Sequence, residues 1–163
     1  VSPQVGAWIK HIAEEREEAT FEVIDIAEYR LPFYGEEQSD DSQLSAWMQR
    51  IDEMDGFIFI TQEYNHSISG VLKNALDSAL QEWHNKAAGI VSYGSTGGVR
   101  AAEHLRGILG ELLIADVRTN PAFSIFSDFE DSRFKPEERH RKQVDEMLDQ
   151  LLSWSRLLKS LRV

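Results

Sequence analysis

Apolar runs with the length of strands alternate along this chain with segments of helical periodicity. Residues 56–61 and 87–91 are apolar without polar alternation, which is typical of strands that are covered on both faces. Apolar residues at helical spacing flank these runs, in segments that begin near Val5, Leu44, Leu72, Ala102 and Val144. Strands that alternate with helices pair in a parallel sheet with helices on both faces. The sequence therefore predicts an α/β fold built on a doubly wound parallel sheet.

The chain length predicts one domain. The 163 residues form a single domain, 1–163, because two halves would each bury too little core. The chain begins with a helix, in which Ser2 is expected to be the cap and Pro3 the first helical residue. A doubly wound fold has a central first strand and a phosphate-binding turn after it. Neither has a counterpart in this sequence, so we expect both to precede residue 1.

The remaining segments give weaker signals of secondary structure. A β-branched run at residues 21–26, ended by a turn with Pro32, predicts a strand. Residues 72–83 carry one apolar face and predict a helix, for which Ser69 is a suitable N-cap. The last three assignments are a strand at 114–117, an irregular loop at 119–135, and a final helix that starts at Pro136.

The charge balance argues against a nucleic-acid partner. The chain has 17 Lys and Arg against 28 Asp and Glu, a net charge of −11, which phosphate backbones repel. The basic residues 139–142 follow Glu137 and Glu138 and are interpreted as a solvated helix face that pairs with itself. No apolar run reaches the length of a membrane span. Cysteine is absent, which excludes thiol catalysis and fits a reducing cytoplasm.

A metal site is not predicted. The five histidines lack the spacing of metal ligands, although His66 lies near a proposed ligand loop. The acidic residues 128–131 lack the spaced ligands and the glycine of a calcium loop. We interpret them as an exposed loop.

Two polar loops follow the two buried strands. Residues 61–67 offer an aromatic ring and an amide, and residues 92–98 offer three glycines and hydroxyl groups. Ligands of open parallel sheets bind at the carboxyl ends of the strands, and glycines let backbone N–H groups approach a ligand closely. The second loop is neither a Walker A loop nor a GxGxxG fingerprint. Each loop alone has a simpler interpretation as a polar turn, but two at neighbouring strand ends favour a ligand site.

These two loops resemble those of a known family. The segment TQEYNHSISGVLKNALD, residues 61–77, and the segment SYGSTGGVRAAEHLR, residues 92–106, are similar to the flavin-binding motifs of the NADPH-dependent FMN reductases, which have a flavodoxin-like fold. The resemblance covers essentially the whole chain. It implies that FMN lies with its isoalloxazine ring lined on one side by Gln62, Glu63, Tyr64 and Asn65. It further implies contacts to the other edge, largely through backbone, from Ser92, Tyr93, Gly94, Gly97 and Gly98.

The chain departs from the family pattern in three places. The Gly-Ser-x-Arg loop that holds the FMN phosphate in the family has no counterpart, so phosphate contacts are not assigned. Gln62 and Ser69 stand where the family has prolines, and both prolines would restrict the backbone of the flavin loop.

The resemblance also implies the activity. Hydride would pass from NADPH or NADH to FMN, and electrons from FMN to a small-molecule acceptor such as a quinone, a free flavin or an azo compound. No side chain need act as nucleophile or base, so no catalytic residue is assigned. A homodimer or homotetramer, formed through the helix at 72–83, is expected. Two alternatives remain open: an electron carrier of the flavodoxin type, and a flavin-free binding protein on the same fold.

Overall fold

A parallel sheet with helices on both faces forms the protein, as the sequence predicts. The computed structural model describes residues 1–35 and 42–162. The elements in chain order are α1 (Ser2–Glu14), α2 (Ser42–Asp52), β1 (Gly56–Gln62), α3 (Gly70–Asp77), β2 (Lys86–Gly94), α4 (Val99–Glu111), β3 (Ile114–Asp116), β4 (Ala122–Ser124), β5 (Phe129–Glu130), β6 (Arg133–Phe134) and α5 (Glu138–Lys159). Strand β2 is central, with β1 parallel on one side and β3 and β4 parallel on the other.

Two apolar clusters lie on opposite faces of this sheet. Successive residues of β1 alternate between them, because side chains of a strand point to opposite faces in turn: Phe57 and Phe59 join one cluster, and Ile58 and Ile60 join the other. The first cluster contains residues of α2, α3 and α4, and the second contains residues of α1 and α5. Every residue of β2 is buried, which confirms that its continuous apolar run belongs to a strand covered on both faces.

The outer edge of the sheet next to β2 is one strand interrupted by a loop. β3 pairs with the start of β2, and β4 pairs with its end, where Ser92 lies opposite Ala122 and Gly94 opposite Ser124. Between them, Asn120 donates its amide N–H to the Ile90 carbonyl over 2.9 Å. The prediction of an irregular loop over residues 119–135 is therefore wrong in part, since this segment contains β4 and the hairpin of β5 and β6.

The burial of Phe123 explains β4. Its ring is fully buried and packs at 6.1 Å from Trp8 and 4.8 Å from Phe134, between ring centroids. Burying such a ring stabilises the folded protein by about 2–3 kcal/mol. This explains why β4 pairs with β2 although its own sequence gives little indication of a strand.

The segment at residues 21–26 does not form the predicted strand. Residues 21–25 hold no regular element, and a short 3₁₀ helix covers Ile26–Tyr29, with the Asp25 carboxylate accepting from the Ala27 N–H over 3.0 Å. A strand requires a paired neighbour for its backbone groups. This segment instead packs its side chains, including Ile24 and Tyr29, against the first cluster.

The predicted helix over 72–83 ends early. Helix α3 stops at Asp77, and a separate 3₁₀ turn covers Gln81–Trp83. The Ser78 hydroxyl donates to the Asn74 carbonyl over 2.7 Å, a local bond that competes with helix continuation, and the Trp83 indole N–H donates to the Leu76 carbonyl over 3.0 Å. The predicted N-cap is confirmed, because the Ser69 hydroxyl accepts from the Leu72 N–H over 3.2 Å.

Two polar side chains that the sequence places in solvent are buried. Asp128 is 2% exposed and His140 is fully buried, which corrects the predictions for these two residues. The exposed loop at 128–131 and the solvated face at 139–142 are otherwise confirmed, since Glu130, Asp131, Arg139 and Lys142 are exposed. The Glu137 N–H donates to His140 Nδ1 over 2.9 Å. Burial lowers the pKa of His140, so its neutral form accepts this bond.

Lys86 is a third buried polar residue, at the start of β2. Its Nζ donates to the carbonyls of Ile51 and Asp52, over 2.6 and 2.9 Å, at the carboxyl end of α2. Burial lowers the pKa of Lys86 to about 8.

No helix of the described residues is long and apolar enough to cross a membrane.

Candidate functional site

The two loops that the sequence selects begin side by side at the carboxyl edge of the sheet. In the β1–β2 ladder Thr61 lies opposite Ser92 and Gln62 opposite Tyr93. The Glu63 N–H then donates to the Tyr93 carbonyl over 3.0 Å. Parallel pairing brings both loops to one edge, which is where open α/β sheets bind ligands.

The first loop contains a tight two-residue turn. Tyr64 and Ser67 exchange backbone hydrogen bonds of 2.9 and 3.0 Å, and the two residues between them, Asn65 and His66, have φ of 48° and 69°. Positive φ at both central positions is the conformation of a type I′ turn, where Asn is favoured. The N–H groups of these central residues lie at the tip of the turn, outside its own pair of bonds. The Tyr64 ring is 60% exposed beside them.

The second loop is shaped by glycine and by Ser92. Gly97 and Gly98 have φ of 78° and 71°, and a Cβ on Gly98 would lie 2.7 Å from both the N and the O of Tyr93. The buried Ser92 hydroxyl donates to the Gly97 carbonyl over 2.7 Å. The Gly94 carbonyl accepts from the Gly97 N–H over 3.2 Å. The loop is therefore held by close contacts between backbone atoms, at positions where a side chain would not fit.

Arg100 connects the two loops, and it is not among the site residues predicted from the sequence. Its Nε donates to the Glu63 carboxylate over 2.5 Å, its Nη1 bonds His66 Nε2 over 3.0 Å, and its Nη2 donates to the Thr96 hydroxyl over 3.3 Å. Because a guanidinium only donates, His66 accepts this bond at Nε2. The sequence does contain a signal for this ion pair, namely an arginine in the first turn of the helix after the glycine loop and an acidic residue in the other loop.

Glu63 is held as a carboxylate by this arginine. Its side chain is 6% exposed, and burial raises the pKa of Glu63, but the hydrogen bonds and the positive charge of Arg100 outweigh it and keep the pKa below its ordinary value. The Arg100 N–H at the start of α4 also donates to Glu63 over 3.3 Å, where the helix dipole favours a negative charge. Glu63 therefore fixes the loops relative to α4.

Tyr93 and Gln62 face α1 rather than the open edge. The Tyr93 hydroxyl donates to Gln62 Oε1 over 3.3 Å and hydrogen-bonds the Ser2 hydroxyl over 2.6 Å. Ser2 is the first residue of α1 and not its cap, which corrects the role predicted for it. Tyr93 is 8% exposed, and this burial raises the pKa of its hydroxyl. Tyr93 offers the edge its backbone, while its ring packs in the second cluster.

A cleft of about 650 Å³ opens beside the turn, lined by Asn65, His66, Ser67, Val99, Arg100, Glu103 and His104. The Ser67 hydroxyl and His104 Nδ1 lie 2.6 Å apart within it. Within residues 1–35 and 42–162, no group of three or more His, Asp and Glu side chains is placed to hold a metal ion.

The edge between the loops fits a flat, polar ring. The turn supplies outward peptide groups and the exposed Tyr64 side chain. In the second loop the three glycines are buried, and the exposed residues are Ser95 and Thr96. Such a surface recognises an aromatic heterocycle through hydrogen bonds at its edge and contacts on its face.

Comparisons with known proteins give a consistent set of relatives. The family model described as NADPH-dependent FMN reductase matches residues 1–128. An NAD(P)H-dependent FMN reductase of Schizosaccharomyces pombe is 31% identical over 134 residues, covering 77% of this chain and 67% of that protein. A 2-hydroxy-1,4-benzoquinone reductase of a Burkholderia species is 33% identical over 151 residues, covering 84% of this chain and 80% of that protein. FerB, a flavoenzyme NAD(P)H:(acceptor) oxidoreductase of Paracoccus denitrificans, has the same fold with a TM-score of 0.77 at 21% identity, covering 96% of this chain and 90% of that one.

Proposed function

Since this chain belongs to the NADPH-dependent FMN reductase family, we propose that it is an oxidoreductase that binds FMN between the Tyr64 turn and the glycine loop. Hydride comes from NADPH or NADH, and the electrons go to a quinone, a flavin or an azo compound. The observation that carries this proposal is the juxtaposition of the two loops at one sheet edge, with Gln62 opposite Tyr93 in the β1–β2 ladder. When bound there, FMN supplies the ring that accepts hydride and passes electrons on.

The residues of the turn have two kinds of role in this proposal. Tyr64 and Asn65 face the ring, the first through its exposed side chain and the second through the backbone at the tip. Gln62 and Glu63 support the turn from behind, through Tyr93 and Arg100.

The residues of the glycine loop divide in the same way. Gly94 and Gly97 are buried and bonded to each other through the Gly94 carbonyl and the Gly97 N–H, and their role in this proposal is to let the ring approach the loop closely. Ser92, Tyr93 and Gly98 hold the loop in shape, since each is bound or packed within the protein. The protein therefore contributes orientation and an open face, while the cofactor carries the redox chemistry.

An anaerobic titration of the FMN-loaded, full-length protein with NADPH tests this function. Bleaching of the flavin absorbance, restored by adding a quinone, is the expected result. FMN that binds without bleaching under NADPH or NADH would identify an electron carrier instead, and a protein that takes up no FMN would refute the flavin site altogether.

A pair of variants at Asn65 tests the turn itself. Asn65→Val places a β-branched residue at a φ of 48°, a conformation that such residues avoid, and is expected to weaken FMN binding measured by flavin fluorescence. Asn65→Gly is the matched control, because glycine adopts this φ freely. Equal FMN affinity in both variants would show that the turn does not contact the flavin.

The proposal extends to assembly and location. We propose a homodimer or homotetramer in the cytoplasm, because Val71 and Leu80, at either end of the α3 region, are 63% and 58% exposed and such apolar surface favours a partner. Light scattering on the full-length protein measures the assembly, and a monomeric mass would contradict it. Cell fractionation tests the location.

A further inference from the structure

The turn that follows β4 adds an exposed aromatic residue to the ligand edge. β4 ends at Ser124, and the next N–H, that of Ile125, donates to the Gly94 carbonyl over 3.0 Å. This bond seats the turn against the glycine loop. Phe126 follows with 77% of its surface exposed, and Ile125 is 44% exposed. The edge thus has an exposed ring on each side, Tyr64 after β1 and Phe126 after β4.

The turn is anchored by a buried carboxylate, so the exposure of Phe126 does not come from a loose loop. Asp128, 2% exposed, accepts from the Ser124 N–H over 2.7 Å and from the Ser127 hydroxyl over 3.0 Å. It also accepts from Arg139 Nη2 over 2.6 Å. A carboxylate this buried is stable only when it is paired and hydrogen-bonded, and here those bonds fix the turn.

The backbone of the turn is held by further bonds. The Asp128 N–H donates to the Ser124 carbonyl over 2.9 Å, and the Phe126 N–H donates to the Ser124 hydroxyl over 3.2 Å. The Phe126 ring is therefore displayed on a fixed support at the carboxyl edge. Covering such an exposed ring with a flat apolar partner is favourable, because it removes apolar surface from water.

We infer that Phe126 contacts the ring of the electron acceptor and makes the protein selective for flat aromatic acceptors. The inference rests on the proposed function. FMN is assigned to the backbone of the two loops, and Phe126 stands outside that backbone, two residues beyond the end of β4, at the rim where a second flat molecule would enter. A quinone or another planar ring that lies over the flavin then packs its free edge against Phe126.

The variant Phe126→Ala tests this inference. A naphthoquinone is titrated into the oxidised, FMN-loaded, full-length protein, and its Kd is read from the perturbed flavin absorbance without turnover. We expect Kd and the KM for naphthoquinone to rise about tenfold, as for loss of a buried aromatic contact. FMN retention and the rate with hexacyanoferrate(III), an acceptor without a ring, are expected to stay at the wild-type value. Phe126→Tyr restores the ring and is expected to restore both constants.

Trp154→Ala is the matched control. Trp154 is 46% exposed and lies near the carboxyl end of α5, where its neighbour Ser155 faces Gly56 at the start of β1, at the opposite edge of the sheet. Its removal is expected to leave the Kd for naphthoquinone unchanged.

Ser124→Ala tests the support separately. It removes the hydroxyl that accepts from Phe126 and is expected to speed amide hydrogen exchange at residues 125–127 while raising the KM for naphthoquinone less than Phe126→Ala does. Unchanged quinone constants in Phe126→Ala would overturn the inference while leaving the reductase activity intact. Equal losses with hexacyanoferrate(III), accompanied by FMN release, would also overturn it and assign Phe126 to the flavin. A wild-type protein that binds no FMN would refute the proposed function and this inference with it.

Discussion

Replacement of Gly98 by alanine is the sharpest test of how the glycine loop is built. Gly98 has a φ of 71°, and a Cβ there would lie 2.7 Å from the N and O of Tyr93 and 2.9 Å from its carbonyl carbon. The left-handed conformation costs a non-glycine residue about 1–2 kcal/mol. The overlap is with backbone, which yields little, and overpacking of this kind costs about 1–3 kcal/mol. We therefore expect Gly98→Ala to lower the free energy of unfolding by about 2–5 kcal/mol.

Two assays measure this effect. Thermal unfolding of the FMN-free protein is expected to shift down by about 4–20 °C, given the usual sensitivity of a domain of this size. Titration with FMN is expected to show a Kd raised about tenfold or more, because a displaced loop loses contacts that require positions within a fraction of an ångström. Thermal unfolding reports the strain in the loop, and the FMN titration reports the contribution of the loop to cofactor binding.

Gly107→Ala is the control for this prediction. Gly107 lies within α4, and a Cβ there meets no atom within 4 Å. Alanine at an interior helical position is expected to stabilise the protein by about 0.5–1 kcal/mol. A Gly98→Ala variant with wild-type unfolding temperature and wild-type FMN affinity would refute the reasoning, since both the strain and the loop's role would then be absent.

Two further predictions concern buried charges, each read by chemical denaturation across pH. Because the pKa of Glu63 is depressed in the folded protein, the stabilisation from its carboxylate is present above the ordinary Glu pKa of about 4.3 and is lost as pH falls below it. The variant Glu63→Gln lacks this titration and is expected to lose less stability in acid than the wild type. An equal loss would show that Arg100 does not stabilise the carboxylate. Because the pKa of Lys86 is lowered to about 8, the unfolded chain binds a proton that the folded chain releases above that pH. The free energy of unfolding of the wild type is therefore expected to rise between about pH 8 and pH 10, by up to roughly 1.4 kcal/mol per pH unit. Lys86→Met is expected to lack this rise, and an equal slope of unfolding free energy against pH in both proteins would show that Lys86 is not its source.

The candidate site depends on contacts made from behind as much as on the residues that face the edge. Glu63, Ser92 and Tyr93 all belong to the two motifs, yet their side chains bond Arg100, Gly97, and the pair Gln62 and Ser2. Substitutions at these positions are expected to act through the shape of the loops. Substitutions at Tyr64 and Phe126 are expected to act on ligands directly, because both rings are largely exposed.

The sequence by itself determined the two longest strands of the sheet and the place along the chain of the two loops that form the candidate site. Continuous apolar runs identify β1 and β2, and the glycines and polar residues after them identify the loops, because periodicity and turn chemistry are local properties of a sequence. Ser69 as the cap of α3 is a signal of the same local kind, and the structure confirms it.

The tertiary structure alone decided which side chains face the edge and which support it. The Arg100 bridge to Glu63 joins residues 37 positions apart, and the Tyr93 bond to Ser2 spans 91 positions, so neither leaves a periodic trace. The seating of β4, and with it the display of Phe126, follows from burial of Phe123 in the second cluster. The physical reason is that burial and pairing depend on what the rest of the chain brings alongside a residue, whereas turn and helix preferences depend on its neighbours in sequence.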